Sequence, residues 1–272
     1  MITFPNAKIN IGLYITSRRT DGYHNLETLF YPIDLCDVLE IVPAQSKNTT
    51  LTVTGITVDG DVEHNLVMRA YRLLQSQYAL PAVDIHLHKV IPFGAGLGGG
   101  SADAAYALTM LRDMFALPID NNELSKIAAK LGADCPFFIY NRPLVATGIG
   151  DCFNSTELSL KGRYIVLVKP DIAISTAEAY AHVKPQAPQT PINEGISLPI
   201  EQWKKYISND FEKSIFPTHP RIAAIKQELY NMGAVYASMS GSGSSVFGIF
   251  DKPCSNTDVF EDCFVWQGEC KV

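Results

Sequence analysis

Apolar residues alternate with polar ones at period two in several stretches, the pattern of half-buried strands. Ile9, Ile11, Leu13 and Ile15 form the first such run, followed by Leu39 with Ile41, Leu51 with Val53, and Val83, Ile85 with Leu87. Further strands are predicted over Tyr164–Val168 and Val246–Phe250. Helical spacing replaces alternation at Leu66, Ala70, Leu73 and Leu74, then at Ala104, Ala107, Leu108 and Leu111. A third helix carries Leu124, Ile127, Ala128 and Leu131 and ends at Gly132, a natural stop. Trp203, Tyr206 and Ile207 predict another helix. Ile222, Ile225 and Leu229 predict a last one, stopped by Gly233.

Strands and helices are mixed without a repeat, so the fold class is α+β. Gly148-Ile149-Gly150 marks a domain division near residue 150, giving segments 1–150 and 151–272. The stretch from His182 to Pro199 holds Pro185, Pro188, Pro191 and Pro199 with little periodicity, and reads as a surface loop or a substrate-side excursion rather than a linker.

At 272 residues with 47% hydrophobic side chains, the chain has ample material for a packed core, and disorder is excluded. The net charge of −6 and the lack of a basic stripe argue against nucleic-acid binding. No apolar run is long enough to span a membrane, and the first residues lack the plan of a secretory signal. The six cysteines show no CxxC pair and fit no common zinc spacing. A cytoplasmic protein with free thiols is expected.

The segment richest in chemistry is Pro92-Phe93-Gly94-Ala95-Gly96-Leu97-Gly98-Gly99-Gly100-Ser101. It follows an alternating strand and opens an amphipathic helix. So many glycines are entropically costly, and they make sense where backbone N–H groups must converge closely on a ligand. A helix N-terminus adds unpaired donors and partial positive charge, which suits polyphosphate. Ser101 can cap the helix, bond a phosphate oxygen or help hold Mg²⁺. A Walker P-loop fails for want of its lysine. A dinucleotide fold lacks the acid closing a second strand, since Asp113 falls in a helix and Asp120 in a turn. A second cluster, Ser240-Gly241-Ser242-Gly243, precedes the strand at Val246. Alone it reads as a hairpin turn; paired with the first loop, it can brace one ligand.

Together these segments resemble the GHMP kinases, whose loop Pro-x-Gly-x-Gly-Leu-Gly-Ser/Gly-Ser is matched by Pro92 to Ser101 and whose late glycine turn is matched by Ser240 to Gly243. Ala7-Lys8-Ile9-Asn10-Ile11-Gly12, Arg19-Thr20-Asp21-Gly22-Tyr23-His24 and Leu131-Gly132-Ala133-Asp134-Cys135-Pro136 narrow the likeness. They are similar to motifs of the members that phosphorylate the 2-hydroxyl of 4-diphosphocytidyl-2-C-methyl-D-erythritol. The resemblance runs over nearly the whole chain and is weakest from about 181 to 235. It implies a two-domain GHMP-kinase fold with the active site between the domains, ATP and Mg²⁺ as cofactors, and a cytidine diphosphate derivative as small-molecule partner.

The resemblance also assigns residues. Asp134 is the catalytic group for the hydroxyl proton, either abstracting it or orienting the hydroxyl; an Asp just past a helix is otherwise a turn or capping residue. Lys8 would keep that carboxylate ionised, and Asn10 shares its strand face at period two. Tyr23 and His24 follow an Asp-Gly turn and are expected on a loop, with Tyr180 as a second ring for the cytosine and Thr176 near substrate hydroxyls or phosphates. The phosphates belong to Gly94, Ala95, Gly96, Leu97, Gly98, Gly99, Gly100 and Ser101. Asn65 and Lys89 would line the adenine, with a helix cap as the alternative for Asn65. Glu63 and Asp103 are not assigned as metal ligands, because Mg²⁺ usually arrives on phosphates and water.

Overall fold

The computed structural model describes residues 1–57 and 60–272. Its early strands are β1 (Ile2–Thr3), β2 (Asn6–Arg18), β3 (His24–Cys36), β4 (Val38–Pro43), β5 (Thr50–Gly55) and β6 (Val83–Lys89). The later ones are β7 (Leu144–Thr147), β8 (Cys152–Ser155), β9 (Tyr164–Pro170), β10 (Tyr236–Met239), β11 (Val246–Phe250) and β12 (Cys263–Glu269). Four α-helices come first: α1 (Leu66–Tyr78), α2 (Gly99–Met114), α3 (Asn121–Ala129) and α4 (Cys135–Tyr140). They are followed by α5 (Thr176–Tyr180), α6 (Ile192–Ser197), α7 (Ile200–Tyr206), α8 (Asp210–Ile215) and α9 (Pro220–Asn231).

The chain forms two compact units that interleave along the sequence. Unit 1 is Met1–Ala7, Leu35–Phe93 and Gly98–Asn141; unit 2 is Lys8–Asp34, Gly94–Leu97 and Arg142–Val272. A single cut near residue 150 does not separate them. The last crossing falls at Asn141, where a left-handed residue closes α4.

Unit 1 holds a four-stranded sheet in the order β1-β4-β6-β5, with β5 parallel to β6 and the other pairs antiparallel. Leu39, Ile41, Ile85 and Leu87 point from it into a core shared with Met68, Tyr71 and Leu74 of α1 and Leu108 and Leu111 of α2. Helix α2 buries Ala102, Ala104, Ala105 and Ala107, small side chains that let its neighbours approach closely. Its one buried charge is Asp103, described below.

Unit 2 has an antiparallel sheet, β10-β11-β9-β12, covered by α9, whose Ile222, Ile225 and Leu229 pack with Val166, Val168 and Val246. A further sheet has the order β2-β3-β7-β8. Strand β2 is buried on both faces from Asn6 to Ile15, so the polar side of its alternation faces protein rather than water. Strand β3 did not announce itself in the sequence for a related reason. Thr28 to Tyr31 are buried consecutively and Pro32 interrupts the pattern. The proline-rich stretch is irregular up to Pro191, as expected, but then forms α6.

Candidate active site

Unit 2 gathers a polar cluster around the first half of the glycine loop. Lys8 is 3% exposed, and its ammonium donates to Asn10 Oδ1 at 2.6 Å and to the Gly96 carbonyl at 3.0 Å. It lies over the Phe30 ring, 5.0 Å from the centroid. Asn10 Nδ2 donates to Thr28 Oγ1 at 2.9 Å, which donates on to the Gly12 carbonyl at 2.5 Å. Every amide function of Asn10 in this chain of bonds is directional, so the Lys8 head is held by a fixed acceptor rather than by a mobile one.

The second glycine cluster is the hairpin between β10 and β11, where Met239 pairs with Val246. Ser240 Oγ accepts from the Asn10 N–H at 3.2 Å and donates to the Gly96 carbonyl at 2.9 Å. Gly96 (φ +73°) has no room for a side chain, since a Cβ there would collide with the Ser240 carbonyl oxygen. The two glycine turns therefore touch through backbone, which only residues without side chains allow.

Unit 1 carries the second half of the loop. Gly98, in a left-handed conformation, precedes α2 and leaves it without a side-chain cap, so the first-turn N–H groups of Gly99, Gly100 and Ser101 face outward from the helix end. Beneath them is a buried ion cluster. Lys89 Nζ pairs with Asp37 Oδ2 and, at 2.7 Å, with Asp103 Oδ2. Asp37 Oδ1 also accepts the N–H groups of Val90 and Ile91, at 2.5 and 2.8 Å, fixing the chain as it enters the loop. A Cβ on Gly99 would stand 3.5 Å from Lys89 Nζ. Burial pushes the Asp103 carboxyl up, the Lys89 ammonium pulls it down and the Asp37 charge raises it again, leaving it at about 7.

In the same unit Asp134 sits at the N-cap position of α4 with helical backbone angles, and its side chain makes no capping bond. Its turn packs on the α2 terminus: a Cβ on Gly132 would lie 3.4 Å from Cys135 Sγ and 3.9 Å from Ser101 Oγ. Burial raises the Cys135 thiol to about 11, which makes it an inert packing group rather than a nucleophile.

Family comparisons decide the lineage. The model of the GHMP kinases N terminal domain matches residues 65–142, and that of the GHMP kinases C terminal matches residues 198–257. A 4-diphosphocytidyl-2-C-methyl-D-erythritol kinase of Parabacteroides distasonis is 56% identical over 271 residues, covering 99% of each chain. One from Chlorobium limicola is 44% identical over 254 residues, covering 90% of this chain and 87% of its own. The chain belongs to the GHMP kinases. A crystal structure of 4-(cytidine 5'-diphospho)-2C-methyl-D-erythritol kinase superposes with a TM-score of 0.83 at 31% identity, over 98% of both chains. The mevalonate kinase of Methanococcus jannaschii, at 13% identity and a TM-score of 0.75 over 99% of this chain and 98% of its own, shares the fold.

As a GHMP kinase the protein is a small-molecule kinase, and members of this family take phosphate from ATP. The structure adds to the sequence reading of its expected site residues at three places. Lys89 is 5% exposed and lies between two carboxylates, so its ammonium braces the loop from below rather than lining a pocket at adenine. Asn65 caps α1, its Oδ1 accepting the Val67 N–H at 2.9 Å, which is the alternative that its position allowed. Of the two residues expected beside the cytosine with Tyr180, His24 is the one whose ring meets it. The His24 and Tyr180 rings stack with centroids 4.8 Å apart and planes at 22°, while Tyr23 is 62% exposed.

Tyr23 stays on the predicted turn, held by Asp21, which accepts its N–H at 3.1 Å and pairs with Arg19. His24 instead opens β3. Thr176 is exposed at the first position of α5, one turn from Tyr180. Sequence reasoning missed the Asn209–Glu212 segment altogether. Asn209 is 1% exposed, and Glu212 accepts from Ser238 Oγ and the Met239 N–H at 3.1 and 2.9 Å. Asn209, Asp210 and Glu212, grouped around Phe211 in a stretch of otherwise weak pattern, were the available signal.

Proposed function

We propose that this chain transfers the γ-phosphoryl group of ATP to the 2-hydroxyl of 4-diphosphocytidyl-2-C-methyl-D-erythritol, yielding ADP and the 2-phosphate. The observation that carries the reading is near-full-length identity, 44–56%, with kinases of that name. The stacked His24–Tyr180 pair agrees with it, because a pyrimidine base can extend a stack of rings, which has no use for homoserine or mevalonate.

Phosphoryl transfer asks the protein for positioning and charge neutralisation more than for covalent chemistry. The N–H groups of Gly94 to Ser101 are assigned to the nucleotide phosphates, with Asn65 Nδ2 toward the adenine. Asp134, at the turn that packs on the α2 terminus, receives the hydroxyl proton of the acceptor. Lys8 supplies positive charge at the acceptor hydroxyl and Asn10 orients it. Thr176 bonds substrate hydroxyls or phosphates, and Tyr23, His24 and Tyr180 take the cytosine.

Among the described residues no group of three His, Cys, Asp or Glu side chains is placed to hold a metal ion. Glu63 pairs with Arg72, and Asp103 with Lys89. We take Mg²⁺ to arrive on the nucleotide phosphates, where the Ser101 hydroxyl would help hold it. Bound there, Mg²⁺ would neutralise phosphate charge. The reaction belongs to the cytoplasm, where it feeds the methylerythritol phosphate route to isoprenoid precursors.

The test is ADP release from ATP with the cytidylyl substrate, with homoserine and with mevalonate as separate acceptors. Turnover confined to the cytidylyl substrate supports the reading. Turnover with either simple alcohol instead would replace the substrate and keep the kinase.

A further inference from the structure

We propose that Asn209 is a positioning residue for phosphoryl transfer, holding the Ser240–Gly241 turn against Gly96 and Asn10. This rests on the kinase reading above and extends it to a residue outside the glycine loops.

Asn209 immediately precedes α8, and its amide uses both donors and one lone pair of its oxygen. Nδ2 donates to the carbonyls of Met239 and Gly241, both at 2.8 Å, and Oδ1 accepts the Phe211 N–H at 2.9 Å. An amide alone among similar side chains supplies two donors and an acceptor in one plane. Its own backbone bridges to Leu13 of β2, the strand that carries Lys8 and Asn10.

The turn it grips has few handles of its own. Gly241 and Gly243 take φ of +56° and +92°, conformations that glycine reaches without strain but does not fix. Beyond Met239 the ladder of β10 has ended, so the Gly241 carbonyl needs an outside donor. What the turn contacts is the site itself. A Cβ on Gly241 would lie 3.2 Å from Gly96 Cα and 3.4 Å from Asn10 Oδ1, and Ser240 Oγ bridges the Asn10 N–H and the Gly96 carbonyl.

The residues beside Asn209 extend the same support. Asp210 Oδ2 accepts the Ile15 N–H at 2.9 Å, and Glu212 holds Ser238, Met239 and, through its other oxygen, Lys226 at 2.6 Å. Phe211 meets the Tyr180 ring edge-on, centroids 4.9 Å apart. One short segment thus fixes the Lys8 strand, the glycine hairpin and the ring pair, and Asn209 is its only side chain that reaches Gly241.

The experiment uses the full chain with Asn209→Asp, which keeps the volume and the capping oxygen but turns both donors into an acceptor facing two carbonyls. Amide exchange at Asn10 and Gly243, whose N–H groups bond Ser240, is expected to accelerate about tenfold or more, with Ile41 in unit 1 unchanged. The turnover number is expected to fall about tenfold to a hundredfold, the scale of one or two buried hydrogen bonds, with the KM for the cytidylyl substrate little changed. Combining it with Ser240→Ala should give a loss smaller than the product of the two, because both act through one turn. Wild-type turnover, unaltered exchange at Asn10 and Gly243, or a strictly multiplicative double variant would each overturn the proposal. If Asn209→Asp does not fold, Asn209→Ser, which keeps the cap and one donor, is read by the same measures. The exchange measurement needs no substrate. A wild-type protein inactive on the cytidylyl alcohol would therefore overturn the kinase reading while exchange still decided the role of Asn209.

Discussion

The backbone of Gly96 lies directly against the Ser240 carbonyl, so that the two glycine-rich turns of unit 2 meet with no side chain between them. The Gly96 carbonyl is also the shared acceptor of Lys8 Nζ and Ser240 Oγ. The positions of the first glycine loop and of the Lys8 ammonium are therefore tied to one peptide group.

Gly96→Ala is the sharpest test of that contact. The left-handed conformation alone costs alanine about 1–2 kcal/mol, and the collision with Ser240 adds to it. Urea unfolding should show the lost stability, and kcat/KM for ATP should fall by about tenfold or more. Gly94→Ala, where a Cβ meets nothing within 4 Å, pays the conformational cost alone and should lose less.

Asn65 separates capping from recognition. Asn65→Ala removes the cap of α1 and should destabilise the protein by about 1 kcal/mol. Asn65→Asp keeps a capping oxygen and should leave the urea midpoint near the wild-type value. It lacks the Nδ2 donor assigned to adenine, so its KM for ATP should rise severalfold. An unchanged KM for ATP would leave Asn65 as a cap alone.

The Asp37–Lys89–Asp103 cluster imposes a pH dependence on stability. Asp103 is raised from its ordinary 3.8 to about 7, so the folded protein keeps a proton that the unfolded chain has already lost across that interval. Its contribution to stability is complete below the lower value and fades as pH rises toward the upper one. Unfolding free energies of the wild type measured from pH 4.5 to 8 should decline through this window. Asp103→Asn should flatten that decline, and parallel curves for the two proteins would contradict the account.

For the base, Tyr180→Ala should raise the KM for the cytidylyl substrate by about tenfold, in line with about 1–3 kcal/mol per stacked base, and leave the KM for ATP unchanged. His24→Ala should move the same constant, because the two rings stack and each holds the other in place.

Much of this architecture was legible before the structure. Glycine spacing before a helix, the polar pair Lys8 and Asn10 at period two, and a helix stop before Asp134 are local signals, and local signals survive in a single sequence. The hairpin at Ser240 was read as a turn able to join the first loop, and the two do touch. What escaped was set by tertiary context. Strand β3 is buried on both faces from Thr28 to Tyr31, so alternation is lost there. Lys89 looks like any polar residue ending a strand, and only the fold reveals Asp37 and Asp103 around it. The interleaved units have no local mark, since the chain crosses between them inside β2, β3 and the glycine loop itself. Asn209 works through backbone carbonyls 30 and 32 residues away, a relationship that no sequence window contains.

The central claim is tested most directly by phosphorus NMR of the products formed from ATP, Mg²⁺ and 4-diphosphocytidyl-2-C-methyl-D-erythritol, with Asp134→Asn run beside the wild type. The account expects ADP and a new phosphomonoester on the 2-hydroxyl in equal amounts. It also expects the variant to fold normally and lose about a hundredfold or more in rate, within the range that a positioned proton acceptor supplies. A phosphomonoester at another hydroxyl, or an Asp134→Asn protein as fast as the wild type, would contradict it.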